Sequence, residues 1–164
     1  MDIGTFLLLQ SPSARYSPEV YARGLEQAQA AETLGYRNVW LAEHHFSTYG
    51  YLSRRRVQLA TYISAKTTKL RVGTAVIVVP LHHPLVIAEE IAMLDILSGG
   101  RLDIGLGRGY QRYEFERFGL QLDSGGQRWD ESLDIIVKSF EGRPFSYEGK
   151  LFKIPETTLF PQPL

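Results

Sequence analysis

The chain has 164 residues, no cysteine, and 18 acidic against 18 basic side chains. The absence of cysteine excludes disulfide frameworks and thiol chemistry, and the balanced charge gives no electrostatic reason to expect nucleic acid or an anionic membrane as a partner. The unbroken apolar run Phe6 to Leu9 near the amino terminus is too short for a signal peptide core or a membrane span. We therefore expect a globular, cytoplasmic protein.

Four short apolar segments, rich in Val, Ile and Leu, are typical of strands in a parallel sheet that is covered on both faces. They run from Ile3 to Leu9, Asn38 to Ala42, Leu70 to Val79 and Leu102 to Leu106. Each segment begins about one βα unit after the previous one, as in a chain that alternates strand and helix. The predicted fold class is therefore α/β.

Helical patterns separate these strands. They run from Ser17 to Leu34, from about Ser53 to Ala65 and from about Pro84 to Leu97. In the first helix, Ser17 is the predicted N-cap and Pro18 the first helical residue, because a proline at that position lacks only an N–H that has no helical partner. Gly35 ends this helix.

A helix from about Gln127 to Phe140 and a small hairpin near residues 144–154 are predicted for the last part of the chain. The hairpin turns around Glu148-Gly149, between short apolar-alternating segments. The ending TLFPQPL contains two prolines and shows no core pattern. We interpret it as a linker.

Two architectures fit βα repeats of this length. A doubly wound domain can be complete in about this many residues, whereas a (β/α)8 barrel usually needs roughly 250. The doubly wound fold, which length alone favours, predicts a glycine-containing phosphate loop after the first strand. The segment LLLQSPSARYSP has no glycine, so the doubly wound fold is disfavoured.

Polar residues follow the predicted second, third and fourth strands. They are Glu43, His44 and His45; Pro80, His82 and His83; and Gly107, Arg108 and Gly109. Because the carboxyl ends of parallel strands share one edge of a sheet, we expect a ligand site there. No metal site is predicted, since the adjacent histidines of the second group have neither an HExxH motif nor cysteine partners.

Three segments, VWLAEHHF, VGTAVIVVPLHHPLVIAEE and LDILSGGRLDIGLGRGY, together resemble the amino-terminal half of the bacterial luciferase-like flavin monooxygenases, a TIM-barrel family. The resemblance begins at DIGTFLL and covers almost the whole chain. It implies that residues 1–164 form a single domain of TIM (β/α)8-barrel type, with about the first four βα units present.

The activity that the resemblance implies is that of a flavin-dependent monooxygenase. Such an enzyme uses reduced FMN, supplied by a separate flavin reductase, and molecular oxygen to oxidise a small organic substrate such as an aldehyde. Two alternatives stay open: a deazaflavin-dependent oxidoreductase of the same fold, and a non-catalytic half-barrel fragment.

The resemblance also assigns catalytic residues. His44 matches the family histidine at the flavin edge, which stabilises the oxygen adduct of the reduced flavin. Glu43 resembles its neighbour at the strand end and is the second predicted catalytic residue. His45 is expected to face the opposite way, into the structure.

The cofactor-binding residues that the resemblance implies lie at the ends of two strands: Thr74, Ala75, Val76, Gly107, Arg108 and Gly109. The first three match the segment behind the isoalloxazine ring, where family members carry a non-prolyl cis peptide, here Ala75 to Val76. Arg108 resembles a contact to the flavin phosphate.

Two further expectations follow from comparison with the family pattern. A four-stranded half of an eight-stranded barrel would expose strand edges, so we expect either a homo-oligomer or a chain that is part of a longer protein. Arg54, Arg55 and Arg56 stand where the family usually has small residues and a proline. They are interpreted either as solvated surface or as contacts to an anion at the rim.

Overall fold

The computed structural model describes residues 1–48 and 56–164. Its helices are α1 (Ser17–Thr33), α2 (Arg56–Ala65), α3 (Pro84–Ser98), α4 (Arg112–Arg117) and α5 (Gly125–Ser139). Its strands are β1 (Gly4–Leu7), β2 (Asn38–Leu41), β3 (Arg71–Thr74), β4 (Ile77–Val78), β5 (Leu102–Asp103), β6 (Leu106–Gly107), β7 (Phe145–Glu148) and β8 (Lys153–Thr157). Short 3-10 turns lie at Ala14–Tyr16, Val79–Leu81 and Leu122–Ser124. The predicted α/β class is confirmed.

The chain forms two compact units. Unit 1 comprises Met1–Ile77 and Leu97–Gly105, and unit 2 comprises Val78–Ile96 and Leu106–Leu164. The prediction that residues 1–164 form a single domain stays a prediction. None of the helices in the described part of the chain is long and apolar enough to cross a membrane.

A parallel sheet with the strand order β1-β2-β3-β5 forms the centre of unit 1. Phe6 of β1 lies opposite Trp40 of β2, which in turn lies opposite Gly73 of β3. The strands therefore follow one another across the sheet in chain order, as they do in a (β/α)8 barrel. A doubly wound sheet would instead place later strands on both sides of the first. The barrel-type prediction is confirmed.

Two of the predicted strands are interrupted. The segment predicted as one strand from Leu70 to Val79 divides into β3 and β4 around a cis peptide between Ala75 and Val76. The segment from Leu102 to Leu106 likewise divides into β5 and β6. Both interruptions lie next to Thr74 and Gly105, which are joined by two hydrogen bonds of the Thr74 side chain.

Helix α1 begins at the residue predicted as its cap, one position before the predicted first helical residue Pro18. Ser17 is its first helical residue, and the preceding Tyr16 makes no side-chain hydrogen bond to the helix, so the predicted N-cap was wrong. Proline in the first turn starts the helix without a cap because its backbone is already in helical geometry. The helix ends as predicted at Gly35, which has φ of +79°.

A carboxylate of α1 supports the loop before β3. Glu32 Oε1 accepts backbone N–H groups of Thr68, Lys69 and Leu70 at 2.8, 2.6 and 2.9 Å. Burial would raise the pKa of Glu32, but these three donors outweigh it and hold the pKa below its ordinary value. The loop is therefore held by a residue more than 30 positions earlier in the chain.

In unit 2, helix α5 runs from Gly125 to Ser139, close to the prediction. Helix α4, which has six residues and contains the fully buried Phe115, was not predicted. Such a helix is shorter than two turns, so its apolar residues do not repeat often enough to show helical periodicity.

The predicted hairpin is confirmed and is longer than expected. Tyr147 pairs with Ile154 and Glu148 with Lys153 in the β7–β8 ladder, which continues to Thr157. Its apolar face packs on Ile135 of α5. The carboxylate of Glu131, also on α5, accepts the backbone N–H groups of the turn.

The ending TLFPQPL is part of the fold, so its interpretation as a linker was wrong. Leu159 is 5 % exposed and packs with Ala88, Ala92 and Phe140. The Gln162 side chain donates to the Ser139 carbonyl at 3.0 Å. A single buried leucine between prolines produces no periodic pattern that sequence inspection could detect.

Candidate functional site

The carboxyl ends of β2 and β3 lie side by side in unit 1. Leu41 is opposite Thr74, and the backbone N–H of Ala75 donates to the Leu41 carbonyl at 2.8 Å. Glu43 and His44 follow β2, and Ala75 and Val76 follow β3. The two segments therefore start at neighbouring positions on one edge of the sheet. This arrangement agrees with the expectation that these segments share a rim.

Accessibility differs sharply among the residues at this rim. His44, Ala75 and Val76 are half-buried and therefore reachable from solvent. Their neighbours are buried: Ala42, Glu43, His45, Thr74 and Ile77. A small molecule could thus contact an imidazole and two small apolar side chains without displacing the core of unit 1.

Glu43 and His45 form a buried polar pair. Glu43 is 3 % exposed and His45 is 2 % exposed, and Oε1 of the first lies 2.8 Å from Nε2 of the second. When the Glu43 carboxylate is ionised it can only accept, and His45 Nε2–H is then the donor. His45 faces into the structure, as the sequence analysis expected. Glu43, the second predicted catalytic residue, is engaged with His45.

Thr74 and Gly105 join the ends of β3 and β5. The Thr74 hydroxyl donates to the Gly105 carbonyl at 2.9 Å and accepts the Gly105 N–H at 3.0 Å. A Cβ on Gly105 would lie only 2.2 Å from the Thr74 carbonyl oxygen, so glycine is required for this approach. The Thr74 side chain is thus committed to the fold, and the adjacent Ala75 and Val76 are the more accessible residues of this segment.

The remaining predicted residues, Gly107, Arg108 and Gly109, lie in unit 2. Gly109 has φ of +79°, and a Cβ there would approach Val78 Cγ1 to 2.5 Å, so the protein's own packing explains this glycine. Arg108 is exposed, and its Nη1 lies 3.8 Å from the position that a Cβ on Gly126 would occupy.

Gly126 lies in the first turn of α5, a contribution to the candidate site that the sequence analysis missed. The amino end of a helix carries partial positive charge, so Arg108 and this end of α5 together form a positive surface. The signal in the sequence is the pair Gly125-Gly126 directly after Ser124, at the start of a helix; Gly125 itself is buried.

The arginine run Arg54, Arg55 and Arg56 is only partly described. Arg54 and Arg55 lie outside the described residues, and Arg56 begins α2 without a described side chain. The two interpretations of this run, solvated surface or anion contact, therefore stay predictions.

The residues present fit a flavin in two respects. Beside His44, Ala75 and Val76 offer small, partly exposed side chains where a planar ring could lie against the backbone. In unit 2, Arg108 at the start of α5 offers charge and N–H donors that suit a phosphate. The first feature lies in unit 1 and the second in unit 2.

A parallel sheet in chain order, with polar residues following the ends of neighbouring strands, defines a protein of the (β/α)8-barrel class. The chain belongs to the luciferase-like monooxygenase family, whose model matches residues 1–164. The family resemblance seen in the sequence is therefore confirmed.

Two relatives and one solved structure illustrate the membership. The oxygenase component of a flavin-dependent trigonelline monooxygenase from Acinetobacter baylyi is 36 % identical over 148 residues, 89 % of this chain and 41 % of the relative. An alkanal monooxygenase alpha chain from the Kryptophanaron alfredi symbiont is 34 % identical over 161 residues, 98 % of this chain and 45 % of the relative.

The crystal structure of the monooxygenase RslO1 from Streptomyces bottropensis matches with a TM-score of 0.94 and 29 % identity, over 99 % of this chain and 50 % of that one. The chain thus spans about half the length of the proteins it matches.

Proposed function

We propose that the protein acts as a flavin-dependent monooxygenase that uses reduced FMN and molecular oxygen to oxidise a small organic substrate such as an aldehyde. The observation that carries this proposal is the accessible group of His44, Ala75 and Val76 among buried neighbours at the ends of β2 and β3. The similarity to the oxygenase component of a flavin-dependent monooxygenase supports the choice of cofactor.

Each accessible residue has a defined role in this proposal. Reduced FMN, when bound, supplies the chemistry with oxygen. Ala75 and Val76 leave room for the ring and help to exclude water from it. His44 donates a hydrogen bond to the position where negative charge develops, a contribution worth roughly a hundredfold in rate.

Arg108 is proposed to hold the phosphate of FMN. Its guanidinium lies next to the first turn of α5, so a phosphate bound by Arg108 would also meet the positive end of that helix. The role rests on electrostatics and on the exposure of Arg108.

Two partners belong to the proposal. A flavin reductase would deliver reduced FMN, because the similar relative is named as one component of a monooxygenase. A homo-oligomer is proposed because β1 and β5 are the end strands of the described parallel sheet, and Phe6 of β1 is 52 % exposed. A stable monomer in sedimentation experiments would contradict the oligomer.

The proposed function is tested by titrating the full chain anaerobically with reduced FMN and with a reduced deazaflavin, then admitting oxygen and an aldehyde. We expect tight binding of reduced FMN, oxygen uptake and formation of the carboxylic acid. His44→Ala should lower the rate of product formation about a hundredfold and leave FMN binding nearly unchanged. His83→Gln is the matched control, because His83 is an exposed histidine whose ring contacts Phe152.

The alternatives give different results in the same experiment. Binding of deazaflavin without oxygen uptake would identify a deazaflavin-dependent oxidoreductase. Failure to bind either cofactor would identify a non-catalytic half-barrel. An equal loss of activity in His44→Ala and His83→Gln would refute the assignment of His44.

A further inference from the structure

Glu43 and His45, which form the buried pair, stand directly before and after the proposed catalytic residue His44 in the sequence. The side chains of the pair are 0 % and 2 % exposed, and the 2.8 Å hydrogen bond joins positions i and i+2. A contact between these positions requires both side chains to lie on the same side of the backbone. His44, the residue between them, is half-buried where both neighbours are buried.

We propose that Glu43 and His45 are positioning residues whose hydrogen bond fixes the backbone on either side of His44 and thereby sets the direction of its imidazole. This inference rests on the proposed function for the role of His44. It also gives Glu43 a role different from the catalytic one that the sequence resemblance implies.

Burial separates this role from direct catalysis by Glu43. A catalytic carboxylate has to reach the reacting atoms, and the Glu43 side chain has no exposed surface. Its Oε1 is instead in hydrogen-bonding contact with His45. Glu43 can therefore act on the reaction only through the residues that it contacts.

The backbone turns directly after the pair. Phe46 has φ of +56°, in the left-handed region that residues with a side chain rarely adopt, and its ring centroid lies 5.9 Å from that of His45. The His45 side chain is thus held by Glu43, and the backbone turns at the next residue. A fixed His45 keeps the turn in place, so His44 has little freedom to move along the rim.

A polar pair serves this purpose better than an apolar one. Two buried apolar side chains would pack in several arrangements, whereas one hydrogen bond with a defined donor and acceptor selects a single arrangement. The pair adds little net stability for the same reason that buried ion pairs seldom do, because desolvation offsets the attraction. Its expected effect is on geometry.

The test compares four variants of the full chain with the wild type. Glu43→Gln keeps a carbonyl acceptor for His45 Nε2–H, whereas Glu43→Ala removes the acceptor and leaves a buried donor. The double variant Glu43→Leu with His45→Leu removes both polar groups and so avoids an unpaired buried group that could prevent folding. Glu26→Ala, an exposed carboxylate of α1, is the matched control.

Two measurements are made on every variant. The first is the position and pH titration of the His44 ring signals in 1H–15N spectra without flavin, which report the surroundings of the ring directly. The second is turnover with reduced FMN, oxygen and aldehyde, separated into kcat and KM.

We expect Glu43→Gln and Glu26→Ala to keep the His44 signals and turnover of the wild type. Glu43→Ala and the double leucine variant should shift the His44 signals and lower kcat about tenfold or more with little change in KM. If the folded double variant keeps the wild-type signals, packing alone directs His44 and the proposal is wrong. If Glu43→Gln loses as much kcat as Glu43→Ala, the charge of Glu43 is what matters and the positioning role is also refuted.

The failure of the proposed function would be recognised separately. A wild-type chain without turnover would remove the monooxygenase assignment, and the His44 spectra would still decide whether the pair directs the ring. Unchanged His44 spectra in the double variant, together with normal turnover, would refute the positioning role and leave the proposed function standing.

Discussion

Replacing Glu131 tests how unit 2 holds its hairpin. Backbone N–H groups of Lys150, Leu151 and Phe152 donate to the Glu131 carboxylate at distances between 3.0 and 3.3 Å, and Glu131 is 8 % exposed. Glutamine has the same shape but only one acceptor oxygen. Lys150 N–H uses one carboxylate oxygen and Phe152 N–H the other, so at least one donor loses its acceptor.

The size of the effect follows from these contacts. A buried donor left without an acceptor costs about 1–3 kcal/mol, and hydrogen bonds to a charged group are stronger than those to a neutral one. We therefore expect Glu131→Gln to lower the free energy of unfolding by about 2 kcal/mol near neutral pH. The control is Glu116→Gln, because Glu116 is an exposed carboxylate of α4.

The pH dependence gives a second, independent check. Burial would raise the pKa of Glu131, but the N–H groups of Leu151 and Phe152, with Gln127 and Lys150, outweigh it and hold the pKa below its ordinary value of 4.5. The stabilisation by Glu131 is therefore complete above the pKa of the unfolded chain and is lost as pH falls through the lower pKa of the folded chain. Protonated Glu131, like glutamine, has a single carbonyl acceptor, so the two proteins should converge in stability at acid pH.

Urea unfolding, followed by tryptophan fluorescence from neutral pH down to about pH 2, measures both effects. The wild type and Glu131→Gln should differ by about 2 kcal/mol at neutral pH, and the difference should shrink as pH falls. A difference of constant size over the whole range would refute the role of the ionised carboxylate. An equal loss in Glu116→Gln would refute the role of the hairpin contacts.

Three further predictions concern the phosphate site, the end of the chain and the junction of β3 with β5. In equilibrium titrations, Arg108→Ala should weaken binding of FMN about tenfold but leave binding of riboflavin, which has no phosphate, unchanged. Arg112 is also exposed, and Arg112→Ala should change the binding of neither ligand. If Arg108→Ala weakened the binding of both ligands equally, a phosphate contact would be contradicted. Leu159→Ala should lower the free energy of unfolding by about 3 kcal/mol, because it empties a buried position, whereas Leu164→Ala, at a residue 79 % exposed, should have almost no effect. Gly105→Ala should destabilise the chain by about 2 kcal/mol in thermal or urea unfolding, since its Cβ would lie 2.2 Å from a backbone oxygen of β3, and unchanged stability would show that this close approach is not required.

Much of the candidate site could be predicted from the sequence because its residues follow strand ends, and strand ends are marked by a change from apolar to polar residues. The rim segments after β2 and β3 were identified in this way, and the family resemblance supplied their expected roles. It could not be predicted that His44 is accessible while Glu43 is buried. Charge and polarity alone do not say which of two neighbouring polar residues has a hydrogen-bond partner in the interior.

The sequence by itself determined the α/β class, the alternation of strands and helices, the start of α1 near Pro18 and the turn of the hairpin, because these depend on residues close together in the chain. Only the tertiary structure decided the breaks in the third and fourth predicted strands, the burial of Leu159 and the support of two loops by Glu32 and Glu131. These features join residues that are more than about 20 positions apart in the chain, and such contacts leave no periodic pattern in the sequence. They arise only when the folded chain brings a donor, an acceptor or an apolar surface to a partner that local propensity cannot specify.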